Sequence, residues 1–290
     1  MRRFLIPVAL MLVSLAAYAH GGHGSDLSIS YNDNGDAAGC DGFSVRMGGE
    51  RVAVVAEEVP FHGNSLRVST AGNGGIRVIG STSGAYGITV CKAVSTGMDA
   101  SRVRPALSGN ELTVEGPDDE KWMAYFVIRA PRDASLELAA QNGPISVTRF
   151  HGTLKADASN GPVSIKESSG TITAQTKNGP VSINGGSGQI KLDATNGPVT
   201  VKLSDLSWDG NLEASTRNGP VSLKLPRGFR SGVVVETDGN GPVSCRAEGC
   251  PEAKAFRWDE EHRPRRIQLG VGPEVIRLST VNGPVSVKDE

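Results

Sequence analysis

One tripeptide, Asn-Gly-Pro, constrains this chain more than anything else in it. It starts at Asn142, Asn160, Asn178, Asn196, Asn218, Asn240 and Asn282, each time followed by Val-Ser-Val or a close variant. The starts lie 18, 18, 18, 22, 22 and 42 residues apart. A fixed period near 20 residues marks stacked units, each too small to bury its apolar face alone.

The spacing of apolar residues decides what each unit is made of. With the Asn counted as position 9, position 3 is Leu136, Leu154, Ile172, Ile190, Leu212, Val234 and Ile276. Positions 5 and 7 are mostly small or apolar, as in Ala156 and Ala158, and polar residues fall between them. After the tripeptide, apolar residues flank a Ser or Thr, as in Val181-Ser182-Ile183. That is the two-residue period of a strand, not a helix period. The unit ending at Asn240 fits worst, because Glu236 and Asp238 fall at positions 5 and 7. The expected fold is all-β: a single-stranded parallel β-solenoid of 18–22-residue coils with an irregular N-terminal cap.

Each residue of the tripeptide has a structural use at a corner. Gly suits a sharp bend by accepting φ > 0. Pro fixes φ and removes an N–H where the strand starts. Asn residues at equivalent corners can bond to one another along a column. Asn142, Asn160, Asn178, Asn196, Asn218, Asn240 and Asn282 are therefore read as a structural corner ladder rather than a calcium or ligand site. The acidic nonapeptide of calcium-binding β-rolls is absent. Gly152, Gly170 and Gly188, at position 1, are expected to mark the other bend.

The beginning of the chain sets the compartment. Arg2 and Arg3 precede an apolar run from Phe4 to Ala17, and Ala17-Tyr18-Ala19 has small residues where cleavage occurs. Residues 1–19 read as a signal peptide and 20–25 as a flexible leader. His20 and His23 offer a copper or zinc chelate as a rival to a solvated leader. No later apolar run is long enough to span a membrane. Without Arg2 and Arg3 the formal charge falls from −1 to −3, which speaks against a nucleic-acid partner. Exported thiols normally pair, and Cys40 with Cys91 and Cys245 with Cys250 each lie within one region. A zinc site made of all four is the alternative.

Residues 26–130 read as degenerate β-repeats and a cap, and 131–290 as the regular array. Gly72-Asn73-Gly74-Gly75 is a worn copy of the corner. Trp122 to Ile128 is the most apolar mature stretch, expected as a buried plug rather than a ligand platform. The pattern breaks at 245–272, where two units' length carries one missing Asn-Gly-Pro. Arg257, Trp258, Asp259 and His262 there form a possible binding surface, since insertions on solenoids often bind. The competing reading packs Trp258 over a sheet under the disulfide. Trp208-Asp209 reads as a loop anchor.

The runs Val127-Ile128-Arg129-Ala130-Pro131, Leu136-Glu137-Leu138 and Asn142-Gly143-Pro144-Ile145-Ser146-Val147 resemble a bacterial β-strand-repeat family of adhesin-like proteins, a domain of unknown function. Val221 to Phe229 resembles its other common phrase. The resemblance covers about residues 126–290. It implies a right-handed solenoid in exported or envelope-associated proteins and brings no catalytic residues with it.

An enzyme on a β-helix needs acids converging on a groove. Asp157 and Asp193 occupy equivalent outward positions two coils apart, about 9.6 Å by strand spacing, with Gln175 between them and no evident pocket. An ice-binding Thr array is contradicted by the varied outward residues. The expectation is an exported, non-enzymatic, adhesin-like scaffold presenting an extended surface to an unknown protein or glycan of the cell envelope. No cofactor, metal or catalytic residue is expected. The alternative is a carbohydrate-active β-helix hydrolase or lyase. An open edge at the last coil, ending at Glu290, would invite edge-to-edge pairing.

Overall fold

Alternating apolar and polar residues can bury one set only as strands, and the chain is all-β. The computed structural model describes residues 27–31, 39–118, 121–239, 241–258, 264–270 and 272–290. The proposed signal peptide and leader, with His20 and His23, lie outside the described residues, as do Asn240, Asp259 and His262.

Two parallel ladders carry the array. In the first, Ala134–Asn142 pairs with His151–Asn160, that with Val163–Asn178, and that with Val181–Asn196, each residue meeting the one 18 further on. In the second, Ile145–Thr148, the start of Val163–Asn178 and the start of Val181–Asn196 pair in the same register. Positions 3, 5 and 7 before the corner and 12 and 14 after it face one continuous core. Leu136, Leu138, Ile145 and Val147 of one coil lie over Leu154, Ala156, Val163 and Ile165 of the next, all buried. At position 7 the inward residue of these coils is Ala or Thr. Thr176, Thr216 and Thr280 each donate to the carbonyl of Gly161, Gly197 or Gly219 at 2.9–3.0 Å, which satisfies a hydroxyl that burial would otherwise penalise.

A positive φ explains the corner glycine only in part. Gly179 and Gly197 take φ 157° and 155°, whereas Gly143, Gly161, Gly219 and Gly283 do not take a positive φ. Space is the constraint: a Cβ on Gly161, Gly179, Gly197, Gly219 or Gly283 would lie 2.0–2.3 Å from the carbonyl oxygen of the glycine one coil away. The left-handed bend sits elsewhere, after the second strand. Arg149, Glu167 and Gly185, 18 residues apart, take φ 53°, 49° and 68°. Gly170 and Gly188 just beyond combine positive φ, 112° and 104°, with a Cβ position 2.2–2.4 Å from a neighbouring carbonyl.

The stack follows chain order in its middle and departs from it at both ends. Towards the C-terminus, Gly210–Asn218 and Val221–Leu225 pair not with the next unit in sequence but with Glu274–Asn282 and Val285–Asp289. Gly232–Thr237 and Val243–Cys245 lie on the far side of that last unit. The expected 42-residue step of two tandem units is thus corrected: the chain passes over one slot, turns back, and fills it. The last unit is paired on both sides, so the edge considered open is closed.

The poorly fitting unit is also resolved. Val233, Val235 and Thr237 stand opposite Ile276, Leu278 and Thr280, one residue out of the expected register, and all three are buried. Thr237 and Gly241 have one more residue between them than Thr280 and Gly283. A slip of one residue exchanges the two faces of a strand, which returns Glu236 and Asp238 to the outside.

Antiparallel strands finish each end. Pro264–Leu269 pairs with Gly232–Thr237, and Lys254–Trp258 covers it in turn. At the other end, Ser65–Ser81 is a full coil: Asn73 pairs with Asn142 and Ile76 with Ile145. Trp122–Pro131 lies parallel against it, followed by antiparallel Gly87–Val94 and Val54–Glu58. Parallel pairing of successive units therefore holds in the middle, and antiparallel strands depart from it at the ends. Phe126 is fully buried, and Tyr125 packs at 4.4 Å on Phe43 of a separate three-stranded sheet. Trp122 donates its indole N–H to the Pro117 carbonyl at 3.0 Å.

Both disulfides sit at the ends. Cys40 bonds to Cys91 and joins the small sheet to the cap, and Cys245 bonds to Cys250 beside the last rung. With all four thiols consumed in these two bonds, the four-cysteine zinc reading is corrected.

Candidate functional site

Even positions of the long strands face outward and build one surface. Position 6 gives Ala139, Asp157, Gln175, Asp193, Ser215 and Ser279 on six consecutive rungs. Strand pairing skips position 8 in these coils, at Gln141, Ser159, Lys177, Thr195 and Arg217. Between the two columns runs a long groove of about 1050 Å³, lined by these residues with Ala158, Thr176 and Ala194 among those at its floor. Asp157 and Asp193, expected on a flat face, line this shallow, open depression with Gln175 between them.

Two pairs of the groove's polar groups are engaged with one another. Gln175 donates its side-chain amide to Asp157, and Ser215 donates its hydroxyl to Asp193. Lys155 lies 3.5 Å from the other oxygen of Asp157. On the adjoining column Glu137 accepts from Arg67 at 2.9 Å and from Lys155 at 3.1 Å. Those bonds, that from Lys155 foremost, hold the Glu137 carboxyl below its ordinary range. Asp157 and Asp193 are half-buried and accept these hydrogen bonds from their neighbours along the stack. Such a groove can offer donors and acceptors at a regular spacing to an extended ligand.

The Asn column borders this face. Each side-chain amide donates to the Asn one rung back: Asn160 to Asn142, Asn178 to Asn160, Asn196 to Asn178, Asn218 to Asn196 and Asn282 to Asn218, at 2.8–3.0 Å. The bond from Asn282 to Asn218 spans 64 residues of sequence and reflects the out-of-order rung. Asn240 is outside the described residues.

Of the possible binding surface in the insertion, Arg257 and Trp258 belong to the strand Lys254–Trp258, where Trp258 pairs with Pro264. Asp259 and His262 lie outside the described residues. Among the described residues the insertion contributes nothing to the groove lining. Sequence reasoning passed over Lys177 and Arg217, although the repeat alignment already puts them in one variable, mostly polar column. Among the described residues no three His, Cys, Asp or Glu side chains converge as metal ligands, and no helix is long and apolar enough to cross a membrane.

Comparison with protein-family models finds no match, and comparison with curated proteins finds none either. Among solved structures the chain is similar to a candidate adhesin from Bacteroides fragilis, at 12% identity, covering 82% of this chain and 97% of that one with a TM-score of 0.42. It is similar to a candidate cell adhesion protein from Clostridium sporogenes, at 12% identity over 82% and 100% of the two chains, with a TM-score of 0.33. A candidate adhesin from Parabacteroides merdae shares 10% identity over 82% and 96%, with a TM-score of 0.24.

Proposed function

We propose that this chain is an exported, non-enzymatic, adhesin-like scaffold whose parallel coils form a right-handed solenoid. It presents an extended face for protein or glycan contact in the cell envelope. The observation that carries this reading is the groove along six rungs, in which Gln175 bonds to Asp157 and Ser215 to Asp193 across neighbouring rungs. A surface of this kind recognises an extended partner by repetition, with each rung adding a small contact. Two disulfides fit an oxidising compartment, as an exported protein meets. The Asn-Gly-Pro phrases that resemble the adhesin-like family are the same residues that set the corners.

A second reading, a carbohydrate-active enzyme, draws on Asp157 and Asp193 sharing that groove two rungs apart. A glycan array and a reducing-sugar release assay on the chain from His20 to Glu290 separate the two. Binding without release of reducing ends is the expected result. Release that disappears in Asp157→Asn or Asp193→Asn overturns the non-enzymatic reading.

A further inference from the structure

The short strands after each corner carry a second outward face, and its chemistry differs from that of the groove. Two residues per rung point outward there. The first is Ser164, Ser182, Thr200, Ser222, Ser286 and Ser244 in spatial order; the second is Lys166, Asn184, Lys202, Lys224 and Lys288. Arg246 follows at the far end, exposed, its backbone N–H on the Val287 carbonyl at 2.8 Å. No carboxylate stands at either outward position from Ser164 to Arg246.

Three lysines on this face are direct neighbours only because of the out-of-order rung. Lys202 pairs with Lys224, and Lys224 with Lys288, in successive parallel strands. At a strand spacing of about 4.8 Å, Lys166 to Arg246 covers roughly 24 Å. Like charges this close repel, and the fold does little to compensate them. Lys202 pairs with Glu290, and Lys166 lies 3.9 Å from Glu167, both acids being at the bend rather than on the face. Lys224, Lys288 and Arg246 form no ion pair with another described residue. On the groove side Arg67, Lys155 and Arg277 each meet a carboxylate, while Lys177 and Arg217 stand apart from one another on separate rungs.

We infer that this face binds an acidic polysaccharide, extended along the stack over the Lys202–Lys224–Lys288 column. Charge complementarity selects a polyanion. A linear cation row beside a hydroxyl row suits a polymer with spaced carboxylate or sulfate groups and hydroxyls between them. Nucleic acid fits less well: single strands need aromatic platforms for the bases, and the outward positions of this face carry none. The inference rests on the scaffold reading and names one of its partners.

The test uses the chain from His20 to Glu290 with polygalacturonate and heparin as acidic probes, dextran as neutral probe and an oligo-dT as nucleic-acid probe, at about 0.15 M salt. Lys224→Glu with Lys288→Glu is compared with Lys191→Glu with Lys254→Glu, which changes the net charge equally away from this face. Both acidic probes are expected to bind and dextran is not. The first pair should weaken binding about tenfold and the second by less than about twofold. Equal weakening by the two pairs, absence of binding to either acidic probe, or tighter binding of oligo-dT overturns the inference. Circular dichroism of each variant confirms that a loss is not unfolding. Recognition of neutral glycans alone would sink this inference and leave the scaffold reading standing, whereas release of reducing ends would sink the scaffold reading itself.

Discussion

The four coils from Ala134 to Lys202 and the three that follow are written in the same phrase but assembled differently. In the first group the next unit in sequence is the next rung in space. In the second, the unit 274–289 enters between 210–225 and 232–245. The phrase therefore specifies the shape of a rung without naming its neighbour. What settles the choice is fit on both sides. The unit ending in Asp289 matches every column of the rung below, with Asn282 on Asn218, Thr280 on the Gly219 carbonyl and Gly283 against Gly219. The unit 232–245 carries an extra residue at its corner. It is stacked in parallel on one side only and meets the antiparallel hairpin on the other.

The largest effect comes from removing the inserted rung. Deleting residues 271–290 leaves Gly232–Thr237 and the hairpin without their parallel partner, so protection from proteolysis should vanish from Gly232 onward. Limited proteolysis read by mass spectrometry checks this. A fragment from 232 to 269 that stays protected would mean that the units stack in chain order after all.

Substitutions in the sequential coils sharpen the comparison by separating space from conformation. Gly161→Ala, at a corner without positive φ, puts a methyl 2.1 Å from the Gly143 carbonyl oxygen, where backbone stacks on backbone. It should cost about 3 kcal/mol or more in a urea titration. Gly185→Ala has nothing closer than 3.3 Å and meets only the left-handed φ of 68°. About 1–2 kcal/mol is expected. Equal losses would show that the close backbone approach is not what requires glycine at the corner.

The disulfides rank the two ends. On the chain-entropy account, Cys40→Ser with Cys91→Ser should cost about 4 kcal/mol for a separation of 51 residues, and Cys245→Ser with Cys250→Ser about 2 kcal/mol for 5. Thermal or urea unfolding orders them, and a larger loss at the C-terminal bond would place the weaker end there.

The smallest effect concerns charge across the first rungs. Glu137 is held below its ordinary range by Lys155 and Arg67 on the adjacent coils. Its contribution is present above the unfolded carboxylate value, near 4.3, and is lost as pH falls through the lower folded value. With the side chain 37% exposed, solvent reduces it to a few tenths of a kcal/mol at pH 7. Glu137→Gln should thus be slightly less stable than the parent at pH 7 and converge on it near pH 2. A difference that grows as the pH is lowered would refute this linkage.

Much of this architecture is legible in single residues. The two-residue alternation around Ile172, Ala174 and Thr176 fixes a strand and its inward face, because an extended chain leaves no other way to bury that set. Asn178 and Gly179 mark a corner by an amide bond and a close backbone approach that recur along the described column. The Asp157 and Asp193 column could be read by alignment, but its groove could not, since the concavity depends on six rungs lying side by side. The slip at Val233 escaped notice because an alignment anchored on Asn240 hides an extra residue just before it.

The sequence by itself determined the rung: its strands, its corner, its inward residues and its period of 18. These follow from sterics and from alternation within a few residues. Only the tertiary structure decided the order of the rungs, and with it which side chains adjoin. Lys224 and Lys288 are 64 residues apart in sequence and lie on neighbouring strands because one slot in the stack fitted the last unit better than the next one. That choice is a competition among nearly equivalent surfaces, settled by contacts on both sides of a rung that no local stretch contains.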